Sequence, residues 1–130
     1  MTDLKTKTQT LSKNSVPLFF SSLFETLNAA KKAHLMAKNK SYAEHMALGT
    51  FYENLEDLID TIIETYYGKF GVINFTIDGA EPGNILSFIK SKTAYYESCY
   101  QLFKDGFLTN QLDAIVQECY HLIYKLENLK

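Results

Sequence analysis

The sequence has no tryptophan, two cysteines and two prolines in 130 residues, and its formal net charge is only −2. Each shortage excludes something. Cys99 and Cys119 show neither the C-x-x-C pairing of a zinc site nor the dense, even spacing of a disulfide scaffold, and they are expected as reduced, buried thiols. The near-neutral balance leaves no basic footprint for nucleic acid, so DNA binding is not favoured; Lys5, Lys7 and Lys13 beside Asp3 make too thin a patch to change that. No apolar run approaches the roughly 20 residues that span a bilayer, and the first 14 residues lack the apolar centre of a secretory signal, so the expectation is a cytoplasmic protein without a membrane partner. Glycine-rich phosphate loops, a serine-nucleophile elbow and internal repeats are all missing, which leaves no nucleophile with an ordered base to support a hydrolase or transferase.

What is present is an ordinary globular composition, 46% hydrophobic and 22% charged, in a length that fits one domain with one core. Residues 1–14 are polar and read as a disordered tail, with the domain over 15–130. Four stretches carry helical periodicity. Ser15 opens the first, with Pro17 tolerated in its first turn, and Phe20, Leu23, Phe24, Leu27, Ala30 and His34 line one face to about Lys38. Ser41 caps the second, striped by Leu48, Phe51, Leu55, Ile59, Ile62 and Tyr66, and Tyr67-Gly68 is its expected end. The glycine- and proline-punctuated stretch to Gly83 is expected as a long crossover packed on the bundle, with one short helical or extended piece. Asn84 caps the third pattern, running through Ile85, Phe88, Ile89, Tyr95, Tyr96, Cys99, Leu102 and Phe103 to a stop at Asp105-Gly106. Thr109 or Asn110 opens the fourth, with Leu112, Ile115, Val116, Cys119, Leu122, Ile123, Leu126 and Leu129 on one face. Two helical hairpins joined by a crossover predict an all-α fold of the ferritin-like four-helix type.

The side chains able to carry chemistry are histidines and carboxylates, the donors that iron(II) accepts while leaving positions open for oxygen or peroxide. Glu118 and His121 have the Glu-x-x-His spacing of bundle metal sites, but at about 100° per residue they flank the side of the fourth helix away from Cys119 and are expected to point into solvent. His34 lies on the apolar stripe of the first helix, where it reads equally as a hydrogen-bonded core histidine or as a ligand. On the second helix Glu53, Asp57, Asp60 and Glu64 run opposite the apolar stripe, with His45 and Gly49 at its border; a solvated acidic face is the plain reading. His45 and Asp60 stand about 22 Å apart along one helix, too far to share an ion within a chain. Two copies packed antiparallel about a twofold axis would bring His45 of one to Asp60 and Glu64 of the other.

The segment from His34 to His45, followed by Phe51-Tyr52, Leu55, Asp60 and Glu64, resembles the Dps branch of the ferritin-like proteins. That resemblance implies a homo-oligomer with a twofold interface on the second helix, and an intersubunit iron-oxidising centre with His34 and His45 from one chain and Asp60 and Glu64 from its neighbour. The stretch between the histidines is one residue shorter than in that family, and Gly49 stands where the family has an aspartate one turn after the second histidine. The run from Ser41 to Tyr52 is also similar to small ferritin-like proteins encoded by tailed bacteriophages, which implies a phage-encoded protein acting in a bacterial cytoplasm. The competing expectation is a bundle without chemistry, a binding or structural module for a partner protein or a small molecule. For a nucleotide-like ligand, Lys90, Lys92, Tyr95 and Tyr96 of the third helix would supply cations and rings.

Overall fold

The computed structural model describes residues 15–37 and 41–129, and the expected N-terminal tail and the Lys38-Asn39-Lys40 break lie outside them. Among the described residues the chain is all-helical: α1 (Val16–Ala37), α2 (Tyr42–Phe70), α3 (Ile85–Ser98) with a 3-10 turn at Cys99–Leu102, and α4 (Gly106–Asn128). Two helix starts sit where the caps place them. The Ser41 hydroxyl accepts the Glu44 N–H at 3.1 Å, and the Asn84 side chain accepts the Ser87 N–H at 2.9 Å, each satisfying a donor that the first turn leaves without a helical partner.

Three boundaries differ from the sequence reading, the first being that α3 and its 3-10 turn stop at Leu102, short of Asp105-Gly106. Helix α2 passes through Gly68 and stops at Gly71, whose φ of +93° no side-chain-bearing residue adopts readily and whose N–H bonds the Tyr67 carbonyl. Helix α4 begins at Gly106, not at Thr109 or Asn110. Asp105 sits at its cap position with its carboxylate turned to Lys69 at 2.5 Å, and the early start carries Leu108, fully buried, into the core.

Chain direction follows from the cross-helix contacts. Lys92 reaches Ser22 and Glu25 while Phe103 packs on Phe19, so α3 runs antiparallel to α1. Asn54 bonds Glu118 and Gln111 bonds Thr65, which sets α4 antiparallel to α2. Between α2 and α3 the crossover 71–84 forms neither helix nor strand and lies along α1. Its Phe75 ring packs on Phe20 and Phe24, the Thr76 N–H donates to Ser21 Oγ, Asp78 accepts from Asn28, and Glu81 pairs with Lys32. The order is therefore up, down, a return, down, up, with one hydrophobic cluster drawing on all four helices. Helix α2 has α1 and α4 as its main neighbours. Its third side, carrying Met46, Thr50, Glu53, Asp57, Asp60 and Glu64, is exposed.

Candidate metal centre: a stacked histidine pair

His34 lies in the last turn of α1 and His45 in the first turn of α2, so the hairpin brings two residues eleven apart face to face. Their imidazoles stack with centroids 3.8 Å apart and planes within 14° of parallel. Each ring reaches across to the other's backbone: His34 Nδ1 lies 2.6 Å from the His45 carbonyl oxygen, and His45 Nδ1 lies 2.7 Å from that of His34. A carbonyl oxygen only accepts, so in both rings the proton is on Nδ1. The neutral ring in that form carries its lone pair on Nε2.

Both bonds have a structural use. Together they tie the last turn of α1 to the first turn of α2. The arrangement is also of the kind that holds a metal-binding histidine in one tautomer and orientation, with Nδ1–H fixed on a carbonyl. Among the described residues nothing hydrogen-bonds either Nε2, and neither is a buried atom lacking a partner. The histidine that the sequence left open between core residue and ligand is half-buried and fully engaged through Nδ1 alone.

Gly49 closes the arrangement. A Cβ built on it would stand 2.8 Å from His34 Cε1 and 3.1 Å from Nδ1. The imidazole of His34 thus occupies the space into which any side chain at position 49 would project. Sequence reading treated Gly49 as a missing donor and missed this role, for which the only available signal was the smallest residue lying one turn after His45.

Asp60 and Glu64 are exposed on α2, far down the same helix, and do not meet the histidines within one chain. Among the described residues no three histidine, cysteine, aspartate or glutamate side chains cluster closely enough to hold a metal ion. Each imidazole offers one nitrogen to a transition-metal ion, but rings 3.8 Å apart and 14° from parallel keep the two lone pairs in separate planes, and further donors would have to come from outside the described residues.

The remaining candidates are placed as follows. His121 is exposed, as expected, with Nδ1 3.8 Å from Glu118 Oε2, but Glu118 is a correction: its other oxygen accepts the Asn54 amide at 3.0 Å across the α2/α4 seam. Of the four residues of α3 expected to serve a nucleotide-like ligand, three lie on the side facing Ser22 and one turns away. Lys90 pairs with Glu127 of α4, whereas Lys92 turns the opposite way, to Ser22 and Glu25 of α1. Tyr96 is fully buried, and Tyr95 borders an open groove of about 500 Å³ with Lys92 and Leu18. A helix has two sides, and residues two apart face different neighbours. Both thiols are free and buried as expected, and burial pushes Cys119 up to about 12 and Cys99 in the same direction, which keeps them protonated and unreactive at neutral pH. Among the described residues no helix is long and apolar enough to cross a membrane.

The model of DUF5856, a family of unknown function, matches residues 34–126. No curated protein matches the chain, and no solved structure does.

Proposed function

We propose that this chain, which belongs to the DUF5856 family, binds a divalent transition-metal ion between two copies of itself, with His34 and His45 from one and Asp60 and Glu64 from the other. The observation that carries this reading is the reciprocal Nδ1–carbonyl pair, which holds two imidazoles side by side with Nε2 uncommitted among the described residues. The exposed side of α2 supplies the rest. An antiparallel second copy with its axis near Glu53 places Asp60 and Glu64 opposite His45, and the order of helices and crossover supports the ferritin-like interpretation.

Such an interface would confront the acidic stripes of two chains, since Glu53, Asp57, Asp60 and Glu64 all lie on the exposed side. Like charges at that spacing repel, and a bound divalent cation offsets the repulsion, so association and metal binding are coupled. With iron(II) as substrate the chemistry is oxidation: two iron(II) ions each lose one electron, and peroxide takes both with two protons to give water. Two imidazoles and two carboxylates suit iron(II) and leave coordination positions free for the oxidant.

The test is iron(II) oxidation, followed by absorbance with oxygen or peroxide, on the wild-type chain and Asp60→Asn. Rapid protein-dependent oxidation that falls by about tenfold or more in the variant is the expected result. Equal rates with and without protein would exclude the oxidation. A second reading, a ferritin-like bundle of phage origin that serves as a binding or structural module, rests on the same pair: the two Nδ1 bonds by themselves pin the α1/α2 hairpin. Under that reading Asp60→Asn leaves every property unchanged.

A further inference from the structure

We infer that Gly49 is the positioning residue of the His34–His45 pair, and that its missing side chain is what sets both imidazoles in the Nδ1–H form and leaves Nε2 to a metal ion. The ligand class rests on the metal-binding reading above; the positioning role does not.

Glycine is not needed at position 49 for its backbone. Positive φ among the described glycines occurs only at Gly71 and Gly83, and residue 49 lies within α2 in ordinary helix. An added Cβ at Gly68, in the same helix, would meet nothing within 4 Å, so crowding is not a general property of α2 glycines. At Gly49 the obstacle is the His34 ring, 2.8 Å from the position of that Cβ. This ring is planar and rigid, and it is held on two sides, by its 2.6 Å bond to the His45 carbonyl and by the 3.8 Å stack on the His45 ring. It cannot slide away without giving up one or both. If it moves, the His45 ring loses the surface against which it is stacked, so a methyl group at position 49 disturbs two ligands at once. With the pair intact, the ions it takes are those that accept neutral imidazole nitrogen, namely nickel, zinc, copper and iron in their divalent states.

Three measurements on the full chain test this. At fixed neutral pH, long-range proton–nitrogen NMR of the imidazoles should show both His34 and His45 protonated on Nδ1 in the wild type, with His34 released to mixed tautomers in Gly49→Ala. Thermal denaturation should show a sign reversal. Gly49→Ala lowers the melting temperature when His34 is present, but in a His34→Ala background, where the ring is gone, it raises it, because alanine is the better helix former. Nickel(II) titration should show about tenfold or greater weakening in Gly49→Ala. If the single variant fails to fold while the double variant folds, the obstruction by His34 is confirmed by the rescue. Gly49→Ala that raises the melting temperature in the wild-type background, or that keeps both wild-type tautomers and wild-type nickel affinity, would overturn the inference. A wild type that binds no nickel(II), with the tautomers and the sign reversal as expected, would instead remove the metal-binding reading and leave Gly49 as the residue that positions the pair.

Discussion

Tyr96 shows how far a single polar atom is constrained in this bundle. The residue is fully buried, yet its hydroxyl donates to the Ser22 carbonyl at 2.9 Å and its oxygen lies 2.5 Å from Thr26 Oγ1, from which it can accept, so the phenol is satisfied where no water reaches. Burial pushes its pKa well above the ordinary tyrosine range, and the neutral form is the only one the site accepts. Tyr96→Phe keeps the ring that packs edge-on against Phe19 and removes only the hydroxyl. The expected loss is about 1–2 kcal/mol in urea denaturation, the cost of leaving buried partners under-bonded. A change below about 0.5 kcal/mol would mean that Thr26 and Ser22 re-pair without cost. Periodicity placed Tyr96 on the apolar face but could not foresee this network, because Ser22 and Thr26 are seventy or more positions away and short hydroxyl side chains carry no stripe signal. The stacking of the two histidines, which the sequence had already put in one chain's ligand set, escaped for a related reason: they belong to different helices, and only the hairpin turn lays one ring on the other.

Among the elements, helix starts were more legible than helix ends. Ser41 and Asn84 announce their helices through an acceptor side chain three positions before the donor it bonds, a relation written in sequence. Glycine is ambiguous, since it can end a helix or be tolerated inside one. The chain uses both options within four residues of α2. Gly68 sits in helix with open space around it, whereas Gly71 has φ of +93° and terminates it. The two should respond oppositely to alanine. Gly68→Ala gains up to about 1 kcal/mol from helix propensity, while Gly71→Ala loses about 1 kcal/mol or more from backbone strain, as read by denaturant unfolding. Equal shifts of one sign would place the end of α2 elsewhere. Asp105-Gly106 misled for the same reason: the dipeptide that reads as a stop for α3 is the start of α4, and the Lys69 partner that occupies the aspartate comes from another helix.

At the scale of the molecule, the four-helix order and the long return segment were readable because each amphipathic stripe needs a partner and loop lengths restrict which partner it finds. The candidate centre was readable only as a set of residue types. Sequence spacing alone shows that His45 and Asp60 cannot meet within one chain, and the fold agrees by leaving the acidic side of α2 uncovered by α1 and α4. Completion by a second copy is therefore the central claim, and complementation tests it most directly. A His34→Ala/His45→Ala chain and an Asp60→Asn/Glu64→Gln chain, each expected to bind no nickel(II) alone, are mixed in equal amounts and titrated after exchange. Half of randomly paired dimers contain one chain of each kind, and each of these has one of its two sites intact, so about a quarter of the wild-type binding capacity should return. Mixtures that bind no more than the separate variants, from a wild type that does bind, would contradict a site shared between chains.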